Sequence, residues 1–99
     1  MSNVVFFNAY KLKEGVSVPD FLLATEELCK GYISQQKGFI SSKVAVDGER
    51  WADFTVFETM EDAKKFAESS DPGGLAEKFY SFIDFNSCMT HFFEVEASY

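Results

Sequence analysis

The sequence predicts an α+β chain whose elements run β-α-β-β-α-(α)-β, with four strands in one antiparallel sheet. Three observations carry that prediction. Segments dense in β-branched and aromatic residues open and close the chain. Two alternating runs in the middle meet at Asp47-Gly48-Glu49. Each side of that pair is joined to the outer strands by a stretch of helical periodicity, the second one split by Asp71-Pro72-Gly73-Gly74.

The first strand, Val4 to Lys11, is apolar on both parities, Val4 and Phe6 on one and Val5, Phe7 and Ala9 on the other, so it should be covered on both sides. A helix follows. Ser17 or Val18 stands near its cap with Pro19 in its first turn, and the pattern predicts that it runs to about Gln36. Phe21, Thr25, Leu28 and Tyr32 form its apolar stripe, flanked by Leu22, Cys29 and Ile33. Lys37-Gly38 ends it. Strands at Phe39 to Val46 and Arg50 to Glu58 then form a hairpin, because a DG step between alternating runs favours a tight turn.

Thr59-Met60-Glu61-Asp62 resembles a capping box that opens a helix with Met60, Ala63, Phe66 and Ala67 inward. The Pro-Gly-Gly break interrupts it. A further helix is expected over Leu75 to Phe85, terminated by Asn86-Ser87, and the last strand over Cys88 to Ala97. Together these give a ferredoxin-like plan within a single domain, residues 1–99.

Composition narrows the function classes. With 46% apolar and 17% aromatic residues, 12 of them Phe, the 99-residue chain is globular rather than disordered. Sixteen acidic against nine basic residues leave a net charge of −7 and no basic stripe, which argues against nucleic acid as a partner. No apolar run approaches a membrane span, and Met1 to Tyr10 lacks the features of a signal peptide, so a cytoplasmic, membrane-free protein is expected. Cys29 and Cys88 are expected as reduced, buried thiols, and a single histidine, His91, rules out a multi-histidine metal site.

Two helices cover only one face of such a sheet. The first, third and last strands are nevertheless apolar on both parities, and burying each Phe or Val is worth roughly 1.5 to 3 kcal/mol. A homodimer formed through the sheet face is therefore expected.

Several stretches resemble the antibiotic-biosynthesis-monooxygenase-like family of the dimeric α/β-barrel superfamily. They are the first strand with its internal polar residue, FFNAY; the Lys13-Glu14-Gly15 turn; the Lys37-Gly38-Phe39 step into the second strand; and Val56-Phe57-Glu58-Thr59 followed by Glu61-Asp62-Ala63 and Phe66. The resemblance implies a dimeric α/β barrel. It also implies a cofactor-independent monooxygenase, an oxidoreductase acting on a small apolar or aromatic, polyketide-like compound. One branch of the family degrades haem. That branch is matched by Asn8, but Phe57 replaces its tryptophan and nothing in Ser69 to Phe79 replaces its histidine, so haem is disfavoured and no cofactor is expected.

The candidate site residues follow from strand parity. Asn8, expected as a buried amide, would by the resemblance stabilise an enolate or phenolate, and His91 would serve as general base; these are the catalytic candidates. Tyr10, Trp51, Asp53 and Phe57 are the substrate-binding candidates, since Trp51, Asp53, Thr55 and Phe57 share one parity and Tyr10 shares that of Asn8. Each has a plainer role open to it: Asn8 tied to backbone, His91 as an interface residue, and Asp53 at the wet end of its strand facing Lys43 across the ladder, the reading the pattern favours. Two other functions also stay open at this point: a non-catalytic dimeric module that binds a small ligand or regulates a partner, and an isomerase or cyclase with His91 as base.

Overall fold

Four strands, β1 (Val4–Leu12), β2 (Phe39–Asp47), β3 (Arg50–Phe57) and β4 (Ile83–Glu94), pair antiparallel in the order β2-β3-β1-β4 in the computed structural model, which describes residues 2–99. Helices α1 (Val18–Gly31), α2 (Met60–Glu68) and α3 (Leu75–Tyr80) complete the ferredoxin-like α+β plan. Both longer helices start on hydroxyl caps: Ser17 Oγ accepts from the Asp20 amide at 3.3 Å and Thr59 Oγ1 from the Asp62 amide at 3.1 Å.

Four boundaries differ clearly from the sequence expectation. α1 stops at Gly31 rather than Gln36, and only a 3₁₀ turn, Ile33–Gln35, follows. Gly31 explains the stop. It weakens the helix, and its missing side chain admits α3, since a Cβ there would lie 2.6 Å from Leu75 Cδ1. α3 ends at Tyr80 instead of Phe85, and β4 begins at Ile83 instead of Cys88 and closes at Glu94. The turn-forming residues Asn86 and Ser87 are not a terminus at all. They build an irregularity inside β4, where the register jumps from Lys11↔Asp84 to Ala9↔Met89. Ser87 Oγ there accepts from the Lys11 amide at 2.8 Å and donates to the Asp84 carbonyl at 2.6 Å, replacing the ladder bond.

The hairpin turn is one residue shorter than its DGE motif suggests. Asp47 pairs with Arg50 across Gly48-Glu49, with Gly48 at φ 61°. Gly38, at φ 81°, is required twice over, because a Cβ there would also run into the Asp62 carboxylate. Both cysteines are free; Cys29 is half-buried as expected of an inward helix position, whereas Cys88 is exposed in the β4 irregularity.

The helix-facing side of the sheet carries two separate apolar clusters. Tyr10, Phe21, Leu28, Trp51, Phe79 and Ile83 pack at the end under α1 and α3, and Val4, Phe57 and Ala63 pack under α2 with Phe6, Phe39 and Phe66 around them. The opposite face has no helix. Phe7 lies there with its ring centroid 5.2 Å from Phe54 and 5.9 Å from Phe93, and His91 stacks 5.2 Å from Phe93. Phe93 and Met89 are about half exposed on that face.

Candidate functional site

Between the two clusters the sheet turns polar. Register puts Asn8 between Asp53 on β3 and Thr90 on β4, and Phe6 beside Thr55, so every second residue of three strands meets on the helix side. The side chains then join. Thr90 Oγ1 donates to Asn8 Oδ1 at 2.7 Å, Asn8 Nδ2 donates to Asp53 Oδ1 at 3.1 Å, and the Tyr10 hydroxyl donates to Asp53 Oδ2 at 3.0 Å. Ser42 Oγ and Thr55 Oγ1 pair at 3.0 Å beside them.

A cavity of about 340 Å³ opens over this strip, walled by α1 through Leu28 and Cys29, by Ile33 of the 3₁₀ turn, and by Phe6, Phe66 and Tyr80. Asn8, Asp53, Thr55 and Ser42 form its polar floor. A small-molecule pocket has this composition: apolar walls with a few convergent polar groups. Lys30 and Glu26, paired at 2.6 Å, stand on its wall with their charges satisfied.

Burial raises the Asp53 carboxyl from its ordinary pKa, while the hydrogen bonds from Asn8 and Tyr10 pull it back. Burial, and next the charge of Asp53, raises Tyr10 far above a normal phenol, so its proton stays on the hydroxyl and points at Asp53. The arrangement is directional. Tyr10 is fixed as a donor, Asn8 as a donor toward Asp53, and the remaining lone pairs of Asp53 are available to a proton donor in the cavity. Asn8 Nδ2 also has a second N–H that no hydrogen bond of the described residues uses.

Of the sequence candidates, Asn8 and Asp53 line the cavity and Tyr10 supports Asp53 from beneath. Trp51 and Phe57 share their parity but are packed into the two apolar clusters, one at each end of the cavity. His91 is not brought to this group. It pairs with Phe7 in register and therefore faces the helix-free side. The expected Asp53–Lys43 pairing is overturned as well: Lys43 opposes Phe54, and Asp53 opposes Val44. Residue parity could not reveal Thr90, which the β4 irregularity brings into register with Asn8, nor the cavity wall formed by Cys29 and Tyr80.

Among the described residues no group of three or more His, Cys, Asp or Glu is placed to hold a metal ion, and no helix is long and apolar enough to cross a membrane.

By fold and site this is a ferredoxin-like α+β protein with an acid-floored cavity between sheet and helices. No protein-family model matches the chain, and no curated protein matches it in sequence. Solved structures do match. SnoaB, a cofactor-independent oxygenase from Streptomyces nogalater, superposes with a TM-score of 0.77 at 12% identity, over 99% of this chain and 97% of its own. A protein from Bordetella bronchiseptica, named as a candidate antibiotic biosynthesis monooxygenase, gives 0.80 at 11% identity over 98% and 100%. A heme-degrading protein from Mycobacterium tuberculosis, in a heme-free cleaved form, gives 0.70 at 20% identity over 99% and 96%. The chain thus has the antibiotic-biosynthesis-monooxygenase-like fold, and identities this low carry the likeness no further than the fold.

The heme-degrading neighbour raises the question of haem. An axial donor there would have to be other than imidazole, because this chain's one histidine, His91, lies on the other side of the sheet.

Proposed function

We propose that the protein is a small oxidoreductase that deprotonates an acidic C–H or phenolic substrate in this cavity and passes the resulting carbanion to molecular oxygen without a cofactor. The observation that carries the reading is the Asp53 carboxylate, part-buried on the cavity floor and held by Asn8 and Tyr10. Its raised pKa makes it a stronger base than an ordinary aspartate. The fold it shares with a cofactor-independent oxygenase supports the choice of oxygen as acceptor.

In this mechanism Asp53 takes the proton from an activated CH₂ beside a carbonyl, and the second Asn8 N–H holds the oxyanion that forms. The enolate gives one electron to O₂, the radical and superoxide combine at the carbon, and the peroxide loses water. One oxygen atom ends as a new carbonyl and the other as water, so CH₂ plus O₂ becomes C=O plus H₂O. Leu28, Phe66 and Ile33 keep bulk water from the carbanion.

Asp53 replaces His91 as the proposed base, which also recasts the isomerase alternative. The same proton abstraction without oxygen would exchange or move a hydrogen. Oxygen uptake with a panel of anthrones and quinols, run beside Asp53→Asn, tests the proposal. Uptake that Asp53→Asn abolishes is the expected result. Unchanged uptake in the variant, or solvent-deuterium exchange with no uptake by the wild type, would overturn it.

The proposed functional unit is a cytoplasmic homodimer of this domain, supported by the aromatic face of Phe7, Phe54 and Phe93 that no helix covers.

A further inference from the structure

We infer that Tyr80 divides the ligand space into two lobes and sets the length of ligand admitted, the preferred class being an extended aromatic compound that is neutral or cationic rather than anionic. A second cavity, of about 320 Å³, lies beneath Ser69, Ser70 and Asp71 at the α2–α3 connection. Four side chains, Phe6, Leu28, Phe66 and Tyr80, line both cavities. Each space alone is near the lower limit of about 300 to 1,000 Å³ for small-molecule pockets, and joined they reach the middle of it.

Three of the four dividers are pinned. Leu28 belongs to the buried core, and Phe6 stacks 4.8 Å from Phe92 while meeting Phe66 edge-on at 5.8 Å. Tyr80 is the movable one. It is 49% exposed, closes a six-residue helix that starts on Gly74 at φ 77°, and rests only on Phe79 and Phe85 among the aromatic rings. A rotamer change there opens the partition without unpacking either apolar cluster.

Charge selects the ligand class. The outer lobe is lined by Asp71 and Glu77 with no Lys or Arg, and the inner lobe by Asp53 beside the self-paired Glu26 and Lys30. Hydrogen bonds from the Ala76 and Gly73 amides hold Asp71 below its ordinary pKa, so it stays ionised at neutral pH. An anionic ligand would meet carboxylates in both lobes of a chain whose net charge is already −7.

Two probes that differ only in a sulfonate test this: N-phenyl-1-naphthylamine, neutral, and 1-anilinonaphthalene-8-sulfonate, anionic. The readout is protection of Cys29, which lines the inner lobe, from N-ethylmaleimide in a Cys88→Ser background; a probe held on the open sheet face gives none. The neutral probe should protect at a concentration about tenfold lower than its anionic twin. Tyr80→Trp should weaken that protection about tenfold while leaving protection by the shorter 1-naphthol, which also reports that the variant is folded, and Tyr80→Phe should behave as wild type. Equal protection by the two fluorophores, no protection by either, or an equal loss of naphthol and phenylnaphthylamine in Tyr80→Trp overturns the inference. The readout is binding, not turnover, so a failed oxygen assay leaves it standing and its own failure leaves Asp53 as base untouched.

Discussion

The two faces of the sheet are built from the same strands, and they could hardly differ more. Neighbours in sequence, Phe7 and Asn8, point to opposite sides: one into an aromatic cluster with Phe54, His91 and Phe93, the other into a hydrogen-bonded strip with Asp53 and Thr90. On the helix side polar groups are tolerated because each has a partner and a cavity above it. On the far side rings predominate: His91 lies among them, and Lys43 and Ser41 join from the edge strand β2, opposite Phe54 and Val56. Strand alternation thus gives one layer two faces of different chemistry with no shared residue.

The sharpest way to break this division is Asp53→Asn. Oxidation should fall by about 10²- to 10⁴-fold, the usual contribution of a general base, measured as oxygen uptake. The wild-type rate should rise with pH as Asp53 ionises, through a pKa above the ordinary aspartate value, and the variant should lose that limb. Stability should move the other way. Because burial raises this pKa, the carboxylate's cost to the fold is absent at acid pH, appears as pH climbs from the ordinary value to the raised one, and persists above it. Asp53→Asn should therefore raise Tm at pH 8 and leave it nearly unchanged at pH 3, a pattern thermal melts at the two pH values would show or refute.

Phe93→Asp strikes the other face. Two symmetric copies would each lose a buried ring worth about 1.5 to 3 kcal/mol, so dimer dissociation should strengthen by about 10³-fold in sedimentation equilibrium. A wild type that is a stable monomer at micromolar concentration would remove the association half of the comparison. Asn8→Ala should cost about 10²-fold in kcat with a smaller change in KM, as expected for a group that holds charge in the transition state. The smallest effect belongs to His91→Ala, whose turnover should stay within about threefold of wild type, since its ring faces away from the cavity. A hundredfold loss there would mean that the faces communicate.

Most of the architecture was legible because it rests on periodicity. The four strands, the split second helix and the Ser17 and Thr59 caps appear where local chemistry asks for them, whereas the first helix stops at Gly31 and not at Lys37-Gly38. The site was legible only in part, and one turn explains much of that. A three-residue Asp47-Gly48-Glu49 loop would set Asp53 against Lys43; the observed two-residue Gly48-Glu49 turn shifts the ladder by one and sets it against Val44, on the cavity side. A single residue of register thus decides whether Asp53 has Lys43 or Val44 opposite it on β2, while its pairing with Asn8 on β1 keeps it on the cavity side. Asn86 and Ser87 misled for a related reason: their hydrogen bonding can close an element or fill an irregularity within one, and only the pairing of Ile83 with Leu12 distinguishes the two. His91 illustrates a third gap, since parity within β4 says nothing about which side the helices occupy.

The alternation in β1 has an evolutionary corollary. Inserting or deleting one residue between Val4 and Asn8 would exchange the assignments of every side chain on one side of the change, driving a phenylalanine over the acid and an amide among the rings. Lineages carrying this protein should accordingly show length variation at Ser70–Gly74, where the chain loops between short helices, and a fixed spacing along the first strand.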